Sequence, residues 1–126
     1  MNHNFALGRY GEEAAEKFYL EKGFTLLGKN VRIKRVGEID LIFIRKTNTY
    51  VFEVVFVEVK TRSSMNNGYG YEAINNRKIT TMKKCAYEWL RENRNSINGY
   101  CKLRLDVVSI DFEDGIPKIK VFENIS

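Results

Sequence analysis

The sequence predicts an α/β fold, and two observations carry that expectation. Segments of helical period, residues 7–22 and about 75–93, alternate with segments of strand period. Between the two helices lie two long apolar runs, VGEIDLIFI and VFEVVFVEVKTR, which occupy residues 36–62 with a short polar break between them. At 126 residues the chain is expected to form one domain over residues 1–126, large enough to bury roughly two thirds of the surface of its unfolded form.

Each element has a local reason. Residues 1–5 are polar and are expected to be loose, with the chain's one histidine, His3, solvated there. Over residues 7–22, Leu7, Gly11, Ala14, Ala15 and Phe18 share one helical face, Glu13 and Lys17 stand at pairing distance on the other, and Gly23 supplies a stop. Glu12 lies at the flank of the apolar stripe; a solvated helix carboxylate is the plain alternative to a role at the sheet edge. Residues 24–36 alternate Val31 and Ile33 with Lys29, Arg32, Lys34 and Arg35, as a half-exposed strand with a positive outer face would. The break at residues 45–49 is expected to turn the following hairpin.

After Arg62 come residues 63–71, rich in Ser, Asn and Gly. They suit either an ordinary surface loop or a lid and nucleic-acid contact, with Tyr69 and Tyr71 as stacking groups. The second helix has an Asn cap and a stripe of Met82, Cys85, Ala86 and Trp89. Lys78 lies one turn before Met82 on that stripe. Its stem can pack while its ammonium snorkels to water, or its charge can be aimed back at the strand carboxylates. Residues 94–102 read as a polar connection, residues 103–112 as a strand on which Arg104 and Asp106 share a face, and residues 117–122 as an edge strand.

The charged residues inside the apolar runs carry the chemistry. In the first run Ile39, Leu41 and Phe43 are expected on one face, with Glu38, Asp40 and Ile42 on the other; in the second, Phe56, Glu58 and Lys60 share a face. If the runs pair, Asp40 can lie near Glu58, and two adjacent carboxylates repel unless a proton or cation intervenes. A hard divalent ion held by Asp40 and Glu58, with other positions left to water and phosphate, suits such a pair. The plainer alternative is an exposed Glu58–Lys60 ion pair worth less than about 1 kcal/mol.

Charge and inventory narrow the classes. A net charge of +5 and a pI near 9.2 favour an anionic partner, and Lys and Arg crowd the segments around the acidic strands. Arg35, Arg62 and Lys78 are the candidates for nucleic-acid phosphate. Two distant cysteines and one histidine do not make a zinc site, no Ser or Cys nucleophile has a histidine partner, and no Gly-rich phosphate loop occurs. No apolar run reaches the length of a membrane span, and the cysteine usage and lack of an apolar leader give the expectation of a cytoplasmic protein.

A resemblance adds to this reading. Gly8-Arg9-x-Gly11-Glu12, Asn30, Gly37-Glu38-Ile39-Asp40-Leu41-Ile42, Phe56-Val57-Glu58-Val59-Lys60-Thr61-Arg62, Lys78 and Arg104-x-Asp106, in that order, resemble the YraN family of small bacterial proteins, from Gly8 to about Ile110. That family is similar to the restriction-endonuclease-like fold. The resemblance implies a central mixed β-sheet flanked by helices and metal-dependent phosphodiester cleavage with Mg²⁺ or Mn²⁺. Carried over by position, Asp40 and Glu58 would hold the ion, Lys60 would orient or activate water, and Glu12 would complete the acidic group. The sequence departs from the family pattern at Leu105, where Phe is usual, and in the added length before Phe56. The function expected is a nuclease acting on DNA, in particular branched or damaged DNA. Its rivals are a non-catalytic nucleic-acid-binding module on the same fold and a small protein-interaction domain.

Overall fold

A computed structural model describes residues 3–63, 75–113 and 115–125. A helix, α1 (His3–Glu21), leads into three strands, β1 (Thr25–Ile33), β2 (Gly37–Asn48) and β3 (Val51–Ser63); α2 (Asn76–Asn93) follows, then β4 (Tyr100–Glu113) and β5 (Ile116–Phe122). The strands form one sheet in the order β1-β2-β3-β4-β5. Neighbours are antiparallel except β3 and β4, which run parallel and are joined through α2. The protein is therefore α/β with a mixed five-stranded sheet, as expected.

The two helices cover opposite faces, which is why the central strand alternates no polar residues over its middle: Val54, Val55, Phe56 and Val57 are all fully buried. Against α1 lie Leu41, Phe43, Val55, Val57, Val108 and Ile110. Against α2 lie Ile39, Ile42, Val54, Phe56 and Leu105. The helix stripes follow from spacing. Gly11, Ala15 and Tyr19 are buried on α1, and Met82, Cys85 and Ala86 on α2. Gly23, at φ +91°, ends α1 in the left-handed conformation that glycine adopts without strain, and the Phe24 N–H closes the turn on the Tyr19 carbonyl at 3.1 Å. Asn75 caps α2 by accepting from the Lys78 N–H at 2.9 Å.

Five expectations are corrected. The first helix begins at His3, so the histidine stands in a helix and not in a loose terminus. Residues 45–48 continue β2, because Arg45 pairs with Glu53 and Lys46 with Phe52 across the hairpin; the turn is Thr49 and Tyr50. Glu13 pairs with Arg9 at 3.5 Å and not with Lys17. Ile39 packs on the α2 side with Ile42, opposite Leu41 and Phe43, because the β2–β3 ladder ends at Leu41 and Val57 and strict alternation ends with it. β4 also begins earlier than residue 103, since Tyr100 continues the parallel ladder with Val51. Among the described residues, no helix is long and apolar enough to cross a membrane.

Candidate functional site

The end of the β2–β3 ladder makes the site. Beyond Leu41 the backbone of β2 no longer pairs with β3, and the side chain of Asp40 takes over, with Oδ2 accepting the Val59 N–H at 2.7 Å. That bond holds the Asp40 carboxylate against β3, one residue from Glu58. Glu58 is buried on the α2 face, and two lysines approach the same oxygen: Lys78 Nζ from the first turn of α2 lies 3.0 Å from Oε1, and Lys60 Nζ lies 3.6 Å from it. Asp40, Glu58, Lys60 and Lys78 thus form one cluster where two strands part and a helix begins.

Its electrostatics are unbalanced at Asp40. Partial burial, then the charges of Glu58 and, less strongly, Glu12, push the Asp40 carboxyl up to about 7, against the opposing pull of the Val59 N–H and the Lys78 ammonium. Asp40 Oδ1 accepts no hydrogen bond from the described residues. The one fully buried, unpartnered side-chain polar atom among those residues is Ser109 Oγ, in register with Lys60 on β4. A carboxylate from each strand, with Asp40 Oδ1 uncommitted, matches the sparse protein ligation of Mg²⁺. Among the described residues no group of three or more acidic, His or Cys side chains forms a closed cage.

Glu12 reaches this cluster through its field and is half-buried, on the helix that covers the other face. Gly11 permits that approach: a Cβ there would collide with the Thr61 hydroxyl of β3, so α1 crosses the sheet in contact at this point. On the opposite side, a Cβ on Gly37 would press against Thr81 and Cys85 of α2, at 3.1 and 3.2 Å. Arg35 is exposed in the β1–β2 turn with φ +64°, and Arg62 is half-buried near the end of β3; neither is bonded to Asp40 or Glu58. Tyr69 and Tyr71 lie outside the described residues.

A second polar cluster was only partly foreseen. The expected Arg104–Asp106 pair exists, with Nε to Oδ1 at 3.0 Å and Nη2 to Oδ2 at 2.8 Å. Fully buried Asp106 also accepts from the Tyr19 hydroxyl at 2.6 Å and from the Asn124 N–H at 3.0 Å. Burial and the Asp106 charge hold the Tyr19 hydroxyl far above the ordinary phenol range. Burial works against the Arg104 charge, yet its bonds to Asp106 prevail and raise its pKa further. Tyr19 gave one usable signal: it continues the Gly11 and Ala15 spacing by four residues.

Comparison with known proteins adds the family. The model of the uncharacterised protein family UPF0102 matches residues 11–110. The chain belongs to that family. It is the YraN family that the motifs resemble, and the matched span holds Glu12, Asp40, Glu58, Lys60 and Lys78. Similar UPF0102 proteins occur in Acetivibrio thermocellus, 40% identical over 122 residues covering 97% of this chain and 88% of the relative, and in Syntrophomonas wolfei, 40% identical over 116 residues covering 92% and 93%. Another, from Bifidobacterium longum subsp. infantis, is 38% identical over 117 residues covering 93% and 90%. This UPF0102 member therefore matches its relatives over nearly their whole length.

Proposed function

We propose that the protein is a Mg²⁺- or Mn²⁺-dependent nuclease that cleaves phosphodiester bonds in DNA on a restriction-endonuclease-like fold. The observation that carries this reading is the meeting of Asp40 and Glu58 at the parting of β2 and β3, with Asp40 Oδ1 uncommitted and two lysines beside the pair. The mixed sheet with a helix on each face supports the fold assignment.

Asp40 and Glu58 would hold the ion, and the Val59 N–H fixes the Asp40 carboxylate so that its other oxygen stays available. A divalent ion supplies Lewis acidity toward a phosphoryl oxygen. Lys60, on the same strand face as Glu58, orients the attacking water and places positive charge near the developing phosphoryl charge. Glu12 adds negative charge from the α1 side, which favours a cation over a lone proton. Arg35 and Arg62 hold flanking phosphates, and the net charge of +5 draws the polyanion in. The lack of a third ligand among the described residues favours one rival, a nucleic-acid-binding module without catalysis.

Incubation with linear, nicked and four-way DNA in Mg²⁺ or Mn²⁺, beside the Glu58→Ala protein, tests the proposal. Cleavage by the wild type that EDTA and Glu58→Ala both abolish is the expected result. Salt-sensitive binding without cleavage in any metal would establish the non-catalytic module, and no binding at low salt would favour a protein-interaction domain.

A further inference from the structure

Glu58 has an uneven set of partners. Lys78 and Lys60 both approach Oε1, Lys78 more closely. Lys60 is tied to Glu58 by the strand, two residues away on one face. Lys78 comes from a different element, the first turn of α2, and its side chain is 37% exposed, so its four-carbon stem can swing the ammonium outward without moving the backbone that Asn75 caps. Its charge also reaches Asp40, where it opposes the fields of Glu58 and Glu12. A monovalent ammonium at 3.0 Å from Glu58 thus occupies the surroundings that a divalent ion would need.

Resting on the nuclease reading of this site, we propose that Lys78 is an exchangeable counter-ion. It neutralises Glu58 while the site lacks a divalent ion, yields that carboxylate when the ion enters, and then offers its ammonium to a phosphate of the bound DNA. Lys60 stays with Glu58 throughout. The exchange couples the two ligands: a cation frees the lysine for DNA, and DNA that takes the lysine favours the cation by the same factor. No covalent step is involved. Lys78 is a positioning residue, which acts on the ion through Glu58.

Calorimetric titration of Mn²⁺ into the wild type, Lys78→Met, Lys78→Arg and Lys60→Met, each checked for fold by circular dichroism, separates exchange from simple repulsion. Lys78→Met should bind Mn²⁺ about tenfold more tightly, by loss of the competitor. Lys78→Arg keeps the charge but adds a planar fork able to engage both Glu58 oxygens, and should bind several-fold more weakly. If Lys78→Met binds no more tightly than the wild type, or if Lys78→Arg matches the wild type, the exchange is wrong while the metal site stands. If neither the wild type nor Lys78→Met binds Mn²⁺, the metal reading falls and the exchange with it.

Anisotropy with a fluorescent 20-base-pair duplex tests the second half of the exchange. Lys78→Met should weaken duplex binding in Ca²⁺, used as a non-cleaving ion, by at least threefold more than it weakens binding in EDTA. Equal loss in both media, or no loss in Ca²⁺, overturns the transfer of Lys78 to phosphate.

Discussion

Asp106 and Asp40 are aspartates of one sheet whose surroundings lead to opposite roles. Asp106 is fully buried and receives four hydrogen bonds, from Tyr19, two Arg104 nitrogens and the Asn124 N–H. Asp40 is half-buried and receives one, from Val59, while Glu58 and Glu12 face it. Burial of a carboxylate alone therefore says little about function in this protein. The balance of donors decides: a carboxylate with every lone pair answered holds elements together, and one left among other carboxylates is poised for a proton or a cation. The Asp106 cluster ties α1, β4 and the C-terminal segment. The Asp40 cluster joins β2, β3 and α2 and leaves Asp40 with a single donor.

Removing the matched carboxylate should do the most damage. Asp106→Ala leaves the half-buried Arg104 guanidinium with Glu53 alone and the Tyr19 hydroxyl and Asn124 N–H without their acceptor, and should cost about 3–5 kcal/mol in urea unfolding. Asp40→Asn should act in the other direction. It keeps an oxygen for the Val59 N–H and removes the repelled charge. In the wild type, folding raises the Asp40 pKa from the ordinary range near 4 to about 7, so the folded state holds the extra proton across that window and stability falls as pH rises through it. Without divalent ions, Asp40→Asn should therefore be about 2 kcal/mol more stable than the wild type at pH 8, an advantage that vanishes near pH 4. A loss of stability at pH 8 would place Asp40 in the same class as Asp106.

Smaller effects sharpen the contrast. Gly11→Ala forces α1 away from Thr61 and should cost about 1–3 kcal/mol, most of it recovered when Thr61→Ala removes the hydroxyl in the way. Tyr19→Phe deletes one of the four donors on Asp106 and should cost about 1 kcal/mol by thermal or urea unfolding. A larger loss would mean that the Asp106 cluster acts as a unit and not as separate bonds.

Asp40, Glu58 and Lys60 were legible because charges interrupt otherwise apolar strands, and the helix caps and stripes followed from spacing. The rest depended on contacts between distant segments. Arg104-x-Asp106 reads as a local pair, yet its buried partner Tyr19 lies 87 residues from Asp106. Ile39 was placed on the wrong face because alternation presumes a continuous ladder, and here the ladder stops where the site begins. The polar residues 45–48 read as a turn, although pairing of Arg45 with Glu53 makes them strand. That Lys78 lies closer than Lys60 to Glu58 was beyond any sequence argument, since it depends on where α2 docks.

On the proposed reading, Asp40 and Glu58 are a cation site held in a proton-bound or lysine-bound state until the ion arrives. Calorimetric titration of Mn²⁺ at pH 6.5, repeated in buffers of different ionisation enthalpy and with Asp40→Asn, tests it most directly. One ion per chain is expected, with protons released from Asp40 as the ion binds, and loss of both the release and most of the affinity in Asp40→Asn. Mn²⁺ binding of equal strength by the two proteins, or binding by the wild type without proton release, would contradict it.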